Sequence, residues 1–456
     1  MHGILFLKQG RIVAEGYWRP FGPECLHRMY SVSKSMVSVA IGLMLDEKRL
    51  KLSDLAADYF PDKLPEGGLH PYLARTTIRD LLMMATPHSE NAYTAEDSDW
   101  LRAFWNKKPS HPPGTVFAYD TAGTVVLTAI VERLSGQSFL DYMRPRLLDP
   151  IGFSAQATCI QTPEGYSWGG SGVLCTLRDM AKLAYVLSNR GRWEGRQLLS
   201  EAYAEQATSR QIDNTLAGSP GYGYQIWMEP GGFSFYGMGS QHAFCYPEQD
   251  LIVATIADTQ LDAARARPIL LETLRSFRQS VQSEPLPADP DAQAALRDKL
   301  ESLTLLAQHG AASSPMREAV HGKTYALEDN PMGIKALRFS FQGEEGVLEY
   351  RNEQGLCALR FGLCKNVEDR FPERVFRERI GVYTDRFYRC MNSAAWVEPQ
   401  KLCLRAQIID DYLGTAFMTF CFQGSEIGVQ MAKAAEWFLD RYQGFAGGAQ
   451  TESDLL

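Results

Sequence analysis

The sequence predicts an α+β fold in which an antiparallel sheet, flanked by helices, is interrupted by a large helical insertion and followed by a C-terminal antiparallel β-domain. Three observations support this prediction. Strand-like segments stand at both ends of residues 1–260, with helical patterns between them. The proline-rich acidic segment QSEPLPADPDAQ then indicates a linker. From Lys323 onward, apolar and polar residues alternate in short segments.

The first predicted domain begins with two strands, because MHGILFLKQGRIVAEG alternates apolar and polar residues around a Gln-Gly turn. Residues 35–46 are apolar on almost every side and predict a buried helix. Helical periodicity follows, and short β-branched or aromatic segments return after Gly221. We therefore expect one sheet domain over residues 1–283, with a helical subdomain at about 47–210.

The second half of the chain carries a different pattern. We expect residues 284–322 to form a linker and a helix, the helix lying in AALRDKLESLTLLAQHG. Segments such as ALRFSFQ, GVLEYRN, KLCLRAQII and AFMTFCFQG then alternate apolar and polar residues. They predict an antiparallel β-domain over residues 323–456, either sandwich-like or barrel-like.

Composition argues against several classes of function. The 456 residues carry a formal net charge of −8 without a basic block, so no nucleic-acid partner is expected. No stretch reaches the roughly 18 apolar residues that a membrane span needs. The N-terminus also lacks the charged and long apolar regions of a signal peptide. The sequence therefore predicts a soluble, cytoplasmic protein whose partner is a small-molecule substrate.

Cysteines and histidines give no metal pattern. The nine cysteines include no C-x-x-C pair, which argues against a zinc ribbon and against a disulfide framework. His88 and His242 lie near candidate motifs, but neither has a histidine or carboxylate four residues away on the same helix face. We expect neither a metal nor another cofactor.

The clearest chemical signal is the pair Ser31 and Lys34 at the start of the buried helix. Residues three apart on a helix are neighbours, so both side chains point to one place. A serine hydroxyl becomes a nucleophile when a base takes its proton, and a desolvated lysine can be that base. The helix N-terminus adds N–H groups that stabilise an oxyanion. In the alternative interpretation, Ser31 only caps the helix and Lys34 extends to water.

Two later segments supply context for this pair. Tyr119 stands in the Gly- and Pro-rich loop PPGTVFAYDT, just before an apolar helix. A nearby ammonium lowers the pKa of a tyrosine, which could then act as a second acid or base. The segment FSFYGMGSQHAF contains small residues that would let a substrate carbonyl approach the backbone. The alternatives are a packed core tyrosine and a simple tight turn.

These three elements, in this order, resemble the serine β-lactamase and penicillin-binding-protein superfamily, and in particular its branch of class C β-lactamases, esterases and 6-aminohexanoate-dimer hydrolases. That family has S-x-x-K, then Y-x-[NS], then a K-T-G or H-x-G strand. The resemblance extends over residues 1–260 and includes TIRDLLMMAT, SWGGSGVLCTLRDMAKLAYVLSNRG and YPEQDLIVATIAD. It implies a β-lactamase-like fold, and the C-terminal domain resembles a lipocalin-like barrel.

The resemblance assigns a role to each candidate residue. Ser31 would be the acylated nucleophile, Lys34 its proton acceptor, and Tyr119 the residue that protonates the leaving group and activates the deacylating water. The backbone N–H groups of Ser31 and Met238 would form the oxyanion hole.

The same resemblance suggests residues that contact the substrate. Tyr166 and Trp168 lie in a family stretch that often borders the pocket, although ordinary packing would explain them equally well. Thr121 occupies the third position of the tyrosine motif, where the family has an amide or a serine. Gly237 and Gly239 flank the predicted oxyanion donor.

Departures from the family pattern bear on the substrate. Neither lysine nor histidine occupies the usual place in YGMGS, so recognition of a substrate carboxylate, as in a β-lactam, is not expected. We therefore expect hydrolysis of an ester or amide. A peptidase or amidase acting on linear or D-amino-acid amides is one alternative, and a non-catalytic penicillin-binding or assembly protein is another.

Two questions stay open at this stage. Family members usually carry a helix ahead of the first strand, and here the strand begins almost at Met1. A missing N-terminal helix or leader would change the expected location. Oligomerisation is possible, and the sequence does not predict its state.

Overall fold

The computed structural model of the protein describes residues 1–94, 96–214, 220–374, 387–435, 439–453 and 455–456. These residues form two compact units. The first is Met1–Leu303, and the second comprises the described residues from Thr304 onward.

The first unit is built on a six-stranded antiparallel sheet with the strand order β2-β1-β11-β10-β9-β8. Two smaller pairings, β3-β5-β4 and β6-β7, lie outside it. The strands of this unit are Gly3–Lys8 (β1), Arg11–Tyr17 (β2), His27–Arg28 (β3), Thr158–Cys159 (β4), Val173–Cys175 (β5), Arg192–Trp193 (β6), Arg196–Gln197 (β7), Trp227–Glu229 (β8), Gly232–Gly237 (β9), Gln241–Tyr246 (β10) and Leu251–Ile256 (β11).

N-terminal strand β1 pairs with β11 from the far end of the unit, with Gly3 opposite Ile256. This pairing closes the sheet around the helical insertion, and the predicted fold class is thereby confirmed. The helices of the unit are Val32–Asp46 (α1), Pro71–Ala74 (α2), Ile78–Leu82 (α3), Trp100–Asn106 (α4), Thr121–Ser135 (α5), Phe139–Met143 (α6), Leu177–Ser188 (α7), Glu201–Ala207 (α8), Ala263–Ser280 (α9) and Pro290–Glu301 (α10).

Helices cover both faces of the sheet. On one face, α7 packs against β1, β10 and β11, and α1 packs against β9. On the other face, Leu274 of α9 joins Phe244 and Val253 in one buried cluster. The central strands β10 and β11 therefore bury both sets of alternating side chains, and all six residues of each strand are buried.

Helix α10 lies in the segment predicted as linker and helix. Leu300 of this helix packs against Gly16 on β2, since a Cβ added to Gly16 would lie 2.6 Å from Leu300 Cδ2. Just after the helix, the Leu303 carbonyl accepts a hydrogen bond of 3.1 Å from the Arg19 N–H. This helix therefore belongs to the first unit. The limits at residues 283 and 323 stay predictions.

The second unit is a barrel. In the part of the chain that the structure describes, nine strands close in the order β15-β14-β13-β12-β21-β20-β19-β18-β17, and parallel pairing of β15 with β17 completes the ring. Helix α11 (Met316–Val320) precedes the strands Thr324–Leu327 (β12), Ala336–Gln342 (β13), Glu345–Asn352 (β14), Gly355–Leu363 (β15), Val367–Arg370 (β16), Arg389–Glu398 (β17), Lys401–Ile409 (β18), Leu413–Gln423 (β19), Glu426–Ala435 (β20) and Gly444–Thr451 (β21). The C-terminal antiparallel β-domain is confirmed as a barrel.

Within the residues that the structure describes, no helix combines the length and the apolar character needed to cross a bilayer.

Gln225 ties three segments of the first unit together. Its side-chain amide donates to the carbonyls of Leu81 (2.8 Å) and Leu82 (3.3 Å) and accepts from the Thr124 hydroxyl (2.7 Å). The Gln225 carbonyl accepts from the Ser35 hydroxyl at 2.8 Å. A buried glutamine thus joins α1, α3 and α5 around the start of α1.

Replacing Gln225 by Leu should lower the free energy of unfolding of the first unit by about 2–4 kcal/mol, because buried partners lose their hydrogen bonds. The measurement is urea unfolding followed by tryptophan fluorescence. Gln211→Leu is the matched control, since its amide bonds with Gln206 and Ser209 lie at the surface. That control should change the free energy by less than about 0.5 kcal/mol. Equal effects of the two substitutions would contradict this role of Gln225.

Candidate active site

Ser31 stands immediately before α1, and its hydroxyl is not used to cap the helix. The residue has φ −69° and ψ −8°, and its side chain makes no capping hydrogen bond. The preceding residue, Tyr30, is buried and has φ 48°, a left-handed conformation that costs energy for a bulky side chain. The interpretation of Ser31 as only a cap is therefore wrong, and its hydroxyl lies beside a strained turn.

Lys34 directs its amino group back to Ser31. Lys34 Nζ donates to Ser31 Oγ at 3.0 Å and to the Gly170 carbonyl at 2.6 Å. Only 1% of Lys34 is exposed, so the alternative that it extends to water is also wrong. The pair predicted from three-residue spacing therefore forms, with the amino group fixed by a carbonyl from a distant loop.

The Tyr119 side chain lies over the same amino group. Lys34 Nζ is 5.0 Å from the centroid of the Tyr119 ring. Burial raises the pKa of Tyr119, whereas its hydrogen bond with Ser31 acts in the opposite direction and the nearby Tyr236 adds to the rise. The expectation of a lowered pKa is wrong in direction, because desolvation outweighs the hydrogen bond with Ser31. Tyr119 is therefore a neutral phenol at neutral pH.

The two residues after Tyr119 begin α5. Asp120 caps this helix by accepting from the Ala122 N–H at 2.9 Å, and it also accepts from the Thr86 hydroxyl at 3.0 Å. Burial raises the pKa of Asp120 to about 6 against the lowering effect of these bonds. The Thr121 methyl group packs against Gly170, and a Cβ added to Gly170 would lie 2.4 Å from it. Thr121 therefore contacts the loop that holds Lys34.

The third motif reaches Ser31 through Gly237, the last residue of β9. A Cβ on Gly237 would lie 2.3 Å from the Met29 carbonyl and 3.3 Å from the Ser31 nitrogen, so a side chain would not fit there. Met238 follows directly, and Gly239 (φ 77°) and Ser240 (φ 72°) turn the chain into β10. The structure thus places Gly237, the neighbour of the predicted oxyanion-hole residue Met238, against the backbone of Ser31 at the end of β9.

Gln241 is a residue of this region that the sequence analysis missed. Its amide donates to the carbonyls of Met238 (2.8 Å) and Ala257 (2.7 Å) and accepts from the Ala257 N–H (3.0 Å). These bonds fix the backbone of the turn that carries Met238. A glutamine directly after a glycine-containing turn was the available signal.

Aromatic side chains border the Tyr119 ring. Trp227 stacks on it with centroids 5.5 Å apart, and Tyr236 lies on the next strand, 6.2 Å from Trp227. The side chains that border Tyr119 on this side are therefore aromatic.

Among the contacts of the described residues, neither Tyr166 nor Trp168 touches Ser31. The Tyr166 hydroxyl accepts from Arg133 at 2.9 Å, and Arg133 stands about 18 Å along α5 from its first residue. Trp168 is 2% exposed and donates from Nε1 to the Tyr93 hydroxyl at 3.0 Å. Substrate contact by these two residues stays a prediction that these contacts do not support.

Gly170 and Arg28 were also missed. Gly170 acts through its backbone carbonyl, which no side-chain motif marks. Arg28 lies three residues before Ser31, is fully buried and donates from Nε to the Ser171 carbonyl at 3.1 Å. Its position just ahead of the serine motif was the only signal.

No group of three or more metal-binding side chains occurs among the residues that the structure describes. Ser31, Lys34 and Tyr119 bring a hydroxyl, an amine and a phenol into one group of contacts.

Comparisons with known proteins identify similar chains. A family model described as beta-lactamase matches residues 3–274. The chain is 22% identical over 283 residues to a 6-aminohexanoate-dimer hydrolase of Paenarthrobacter ureafaciens, covering 56% of this chain and 71% of that protein.

Solved structures show the same fold. A protein from Bacillus anthracis, assigned as a 6-aminohexanoate-dimer hydrolase, has a TM-score of 0.52 at 18% identity, over 62% of this chain and 80% of that chain. The protein SurE has a TM-score of 0.50 at 13% identity, over 98% of this chain and 94% of that chain.

The raised pKa of Asp120 predicts a pH-dependent stability. In the unfolded chain an aspartate ionises near pH 3.9, so the unfolded state loses its proton first. Asp120 therefore contributes stability that is complete below about pH 4 and is lost as the pH rises through about 6. Relative to Asp120→Asn, the wild type should lose about 3 kcal/mol of unfolding free energy between pH 4 and pH 7.5.

Urea unfolding of both proteins across this pH range is the measurement. Asn keeps the size and the acceptor oxygen of Asp120. Asp141→Asn, at the exposed start of α6, controls for replacing a carboxylate near a helix N-terminus. A constant difference between wild type and Asp120→Asn would contradict the raised pKa.

Proposed function

Because the chain belongs to the beta-lactamase family, we propose that it is a serine hydrolase that cleaves an ester or amide bond through a covalent acyl-enzyme on Ser31, with Lys34 and Tyr119 as general acid and base. The observation that carries this proposal is the contact of Lys34 Nζ with Ser31 Oγ at 3.0 Å, made by a lysine that is 1% exposed.

In the acylation step, Ser31 Oγ attacks the substrate carbonyl and its proton passes to Lys34. A neutral amine can donate one N–H to the Gly170 carbonyl and still offer its lone pair to the Ser31 hydroxyl. Tyr119, as a phenol, gives its proton to the leaving group and recovers one from Lys34. The bond to the leaving group breaks, and an acyl–serine bond replaces it.

The developing oxyanion would be stabilised by the N–H groups of Ser31 and Met238. The Ser31 N–H belongs to the start of α1, where the helix dipole favours negative charge. Gln241 fixes the turn that carries Met238 through the Met238 carbonyl. A donor held by such bonds requires no reorganisation during the reaction.

Deacylation reverses the proton path. A water molecule attacks the acyl carbonyl and transfers a proton to Tyr119 as Tyr119 passes its own proton to Lys34. Lys34 then returns a proton to the departing Ser31 Oγ, and the acid product leaves. The raised pKa of Tyr119 supports this relay, since the residue begins and ends each step as a phenol.

The substrate is expected to be neutral or apolar near the reacting bond. Trp227 stacks on Tyr119, and Tyr236 lies beside Trp227. The segment YGMGS holds neither the lysine nor the histidine that would bind a carboxylate. Both an esterase and an amidase or peptidase for linear or D-amino-acid amides fit these aromatic surroundings. The name of the Paenarthrobacter relative favours the amide alternative.

A non-catalytic penicillin-binding or assembly protein of the same fold is the remaining candidate. Its support is the altered third motif. The arrangement of Ser31, Lys34 and Tyr119 within one group of contacts favours the enzyme over this candidate.

A fluorophosphonate probe tests the nucleophile. We expect one adduct on Ser31 of the wild type and none on Ser31→Ala, because only an activated hydroxyl reacts. Ser33→Ala is the matched control and should still be labelled, since the Ser33 hydroxyl accepts from the Val173 N–H on another side of the helix. Mass spectrometry of peptides identifies the site. Equal labelling of wild type and Ser31→Ala would refute the proposal.

The acid and base roles predict that removing either group lowers the activity strongly. Lys34→Met and Tyr119→Phe should each lower kcat/KM by at least about 100-fold, since each removes a proton-transfer group. Rates on p-nitrophenyl esters and on amino-acid amides give the measurement and also separate esterase from amidase activity. Multiple turnovers of any substrate exclude the non-catalytic candidate, whereas unaltered rates in both variants would refute their assigned roles.

A further inference from the structure

Arg28 is a buried cation beside the candidate nucleophile. It is 0% exposed, and its guanidinium donates to the Ser171 carbonyl at 3.1 Å and to the Ser171 hydroxyl at 3.3 Å. The Arg28 Cζ atom lies 4.4 Å from the Tyr30 ring centroid and 4.9 Å from that of Trp168. The residue is therefore held between the strained turn before Ser31 and the loop that contacts Lys34.

Arg28 and Lys34 bind successive carbonyls of this loop. Lys34 Nζ donates to Gly170, and Arg28 Nε donates to Ser171. The two carbonyls belong to adjacent residues, whose Cα atoms are about 3.8 Å apart. Lys34 Nζ and Arg28 Nε therefore lie within roughly 11 Å of each other. Both residues are buried, so salt screens their interaction far less than it would at the surface.

We propose that Arg28 is a positioning residue whose fixed positive charge disfavours the ammonium form of Lys34 and so keeps Lys34 available as the base for Ser31. This inference rests on the proposed function. A lysine placed beside another cation loses its proton more readily and becomes a better base. Arginine suits the task because it stays charged throughout the range in which enzymes work.

Other groups face Lys34 or this loop and enter the balance of charge. Tyr119 and Tyr236 contribute phenols from the start of α5 and from β9. Asp120 lies buried at the start of α5, and Glu132, further along that helix, accepts from the Ser167 N–H at 3.3 Å. Glu132 raises and Arg28 lowers the pKa of the same half-buried thiol, Cys159. An ionised carboxylate at either position would favour the ammonium form of Lys34, and the charge of Arg28 would oppose it.

The test is the rate at which a fluorophosphonate modifies Ser31 between about pH 5 and pH 10, in wild type and in Arg28→Gln. We expect the pH of half-maximal rate to rise by about one unit in the variant, with the high-pH plateau retained. The rate on the rising limb should then be about tenfold lower. Arg28→Lys, which keeps a charge, should restore the wild-type midpoint.

Two controls assign the shift. Ser171→Ala removes one hydrogen-bond partner of Arg28 but keeps its charge, so its midpoint should match that of the wild type. Repeating the Arg28→Gln comparison in an Asp120→Asn background excludes titration of Asp120 as the source. A shift that vanishes in that background would overturn the inference.

The outcomes separate the two proposals. If the wild type is not labelled on Ser31, the proposed function fails. If labelling occurs and Arg28→Gln lowers the rate equally at every pH without moving the midpoint, Arg28 has a purely structural role and the inference fails. Should Arg28→Gln not fold, Glu132→Gln provides the second test. Its midpoint should move to lower pH, and an unchanged or raised midpoint would overturn the inference.

Discussion

The candidate site depends on the burial of one amino group. Lys34 Nζ lies between Ser31 Oγ and the Gly170 carbonyl, which requires the loop of Gly169 and Gly170 to press directly against α5. An added Cβ on Gly169 would lie 2.1 Å from Thr128 Oγ1, and one on Gly170 would lie 2.4 Å from Thr121 Cγ2. Only glycine permits this approach, and the approach keeps water from the amine. The strength of a base in such a site is then decided by neighbouring charges and carbonyls.

Sequence patterns predicted the local parts of this site and not its long-range supports. The pairing of Ser31 with Lys34 follows from helical spacing, which the printed sequence displays directly. Gly170, Arg28 and Gln241 act through backbone carbonyls or from distant segments, and no side-chain motif marks such contacts. The direction of the Tyr119 pKa was mistaken for a similar reason, because burial is a property of the folded structure and cannot be read from adjacent residues. An aromatic residue near a motif, such as Trp168, gives the same sequence pattern whether it packs in the core or binds the substrate.

The second unit shows the same division between local and distant information. Alternation in strands such as β14 predicted an antiparallel β-domain, since one set of side chains faces inward along each strand. The distinction between a sandwich and a barrel depends on the parallel pairing of Gly362 with Ser393. This pairing joins β15 to β17, which are not consecutive strands and cannot form a hairpin. Among the described residues, this pairing joins the two ends of the strand order, and closure of a sheet reduces the edge that it offers to other chains.

Ser33 and Ser35, in the first turn of α1, determine the direction in which the helix faces. Ser33 accepts from the Val173 N–H at 3.1 Å, and Ser35 donates to the Gln225 carbonyl at 2.8 Å. Two positions along a helix are about 200° apart around its axis, so the two bonds hold the helix from nearly opposite sides. They act as stops against rotation, and rotation is the motion that would separate Lys34 from the Gly170 carbonyl. An almost uniformly apolar helix has no polar face to set its orientation, and these two hydroxyls supply it.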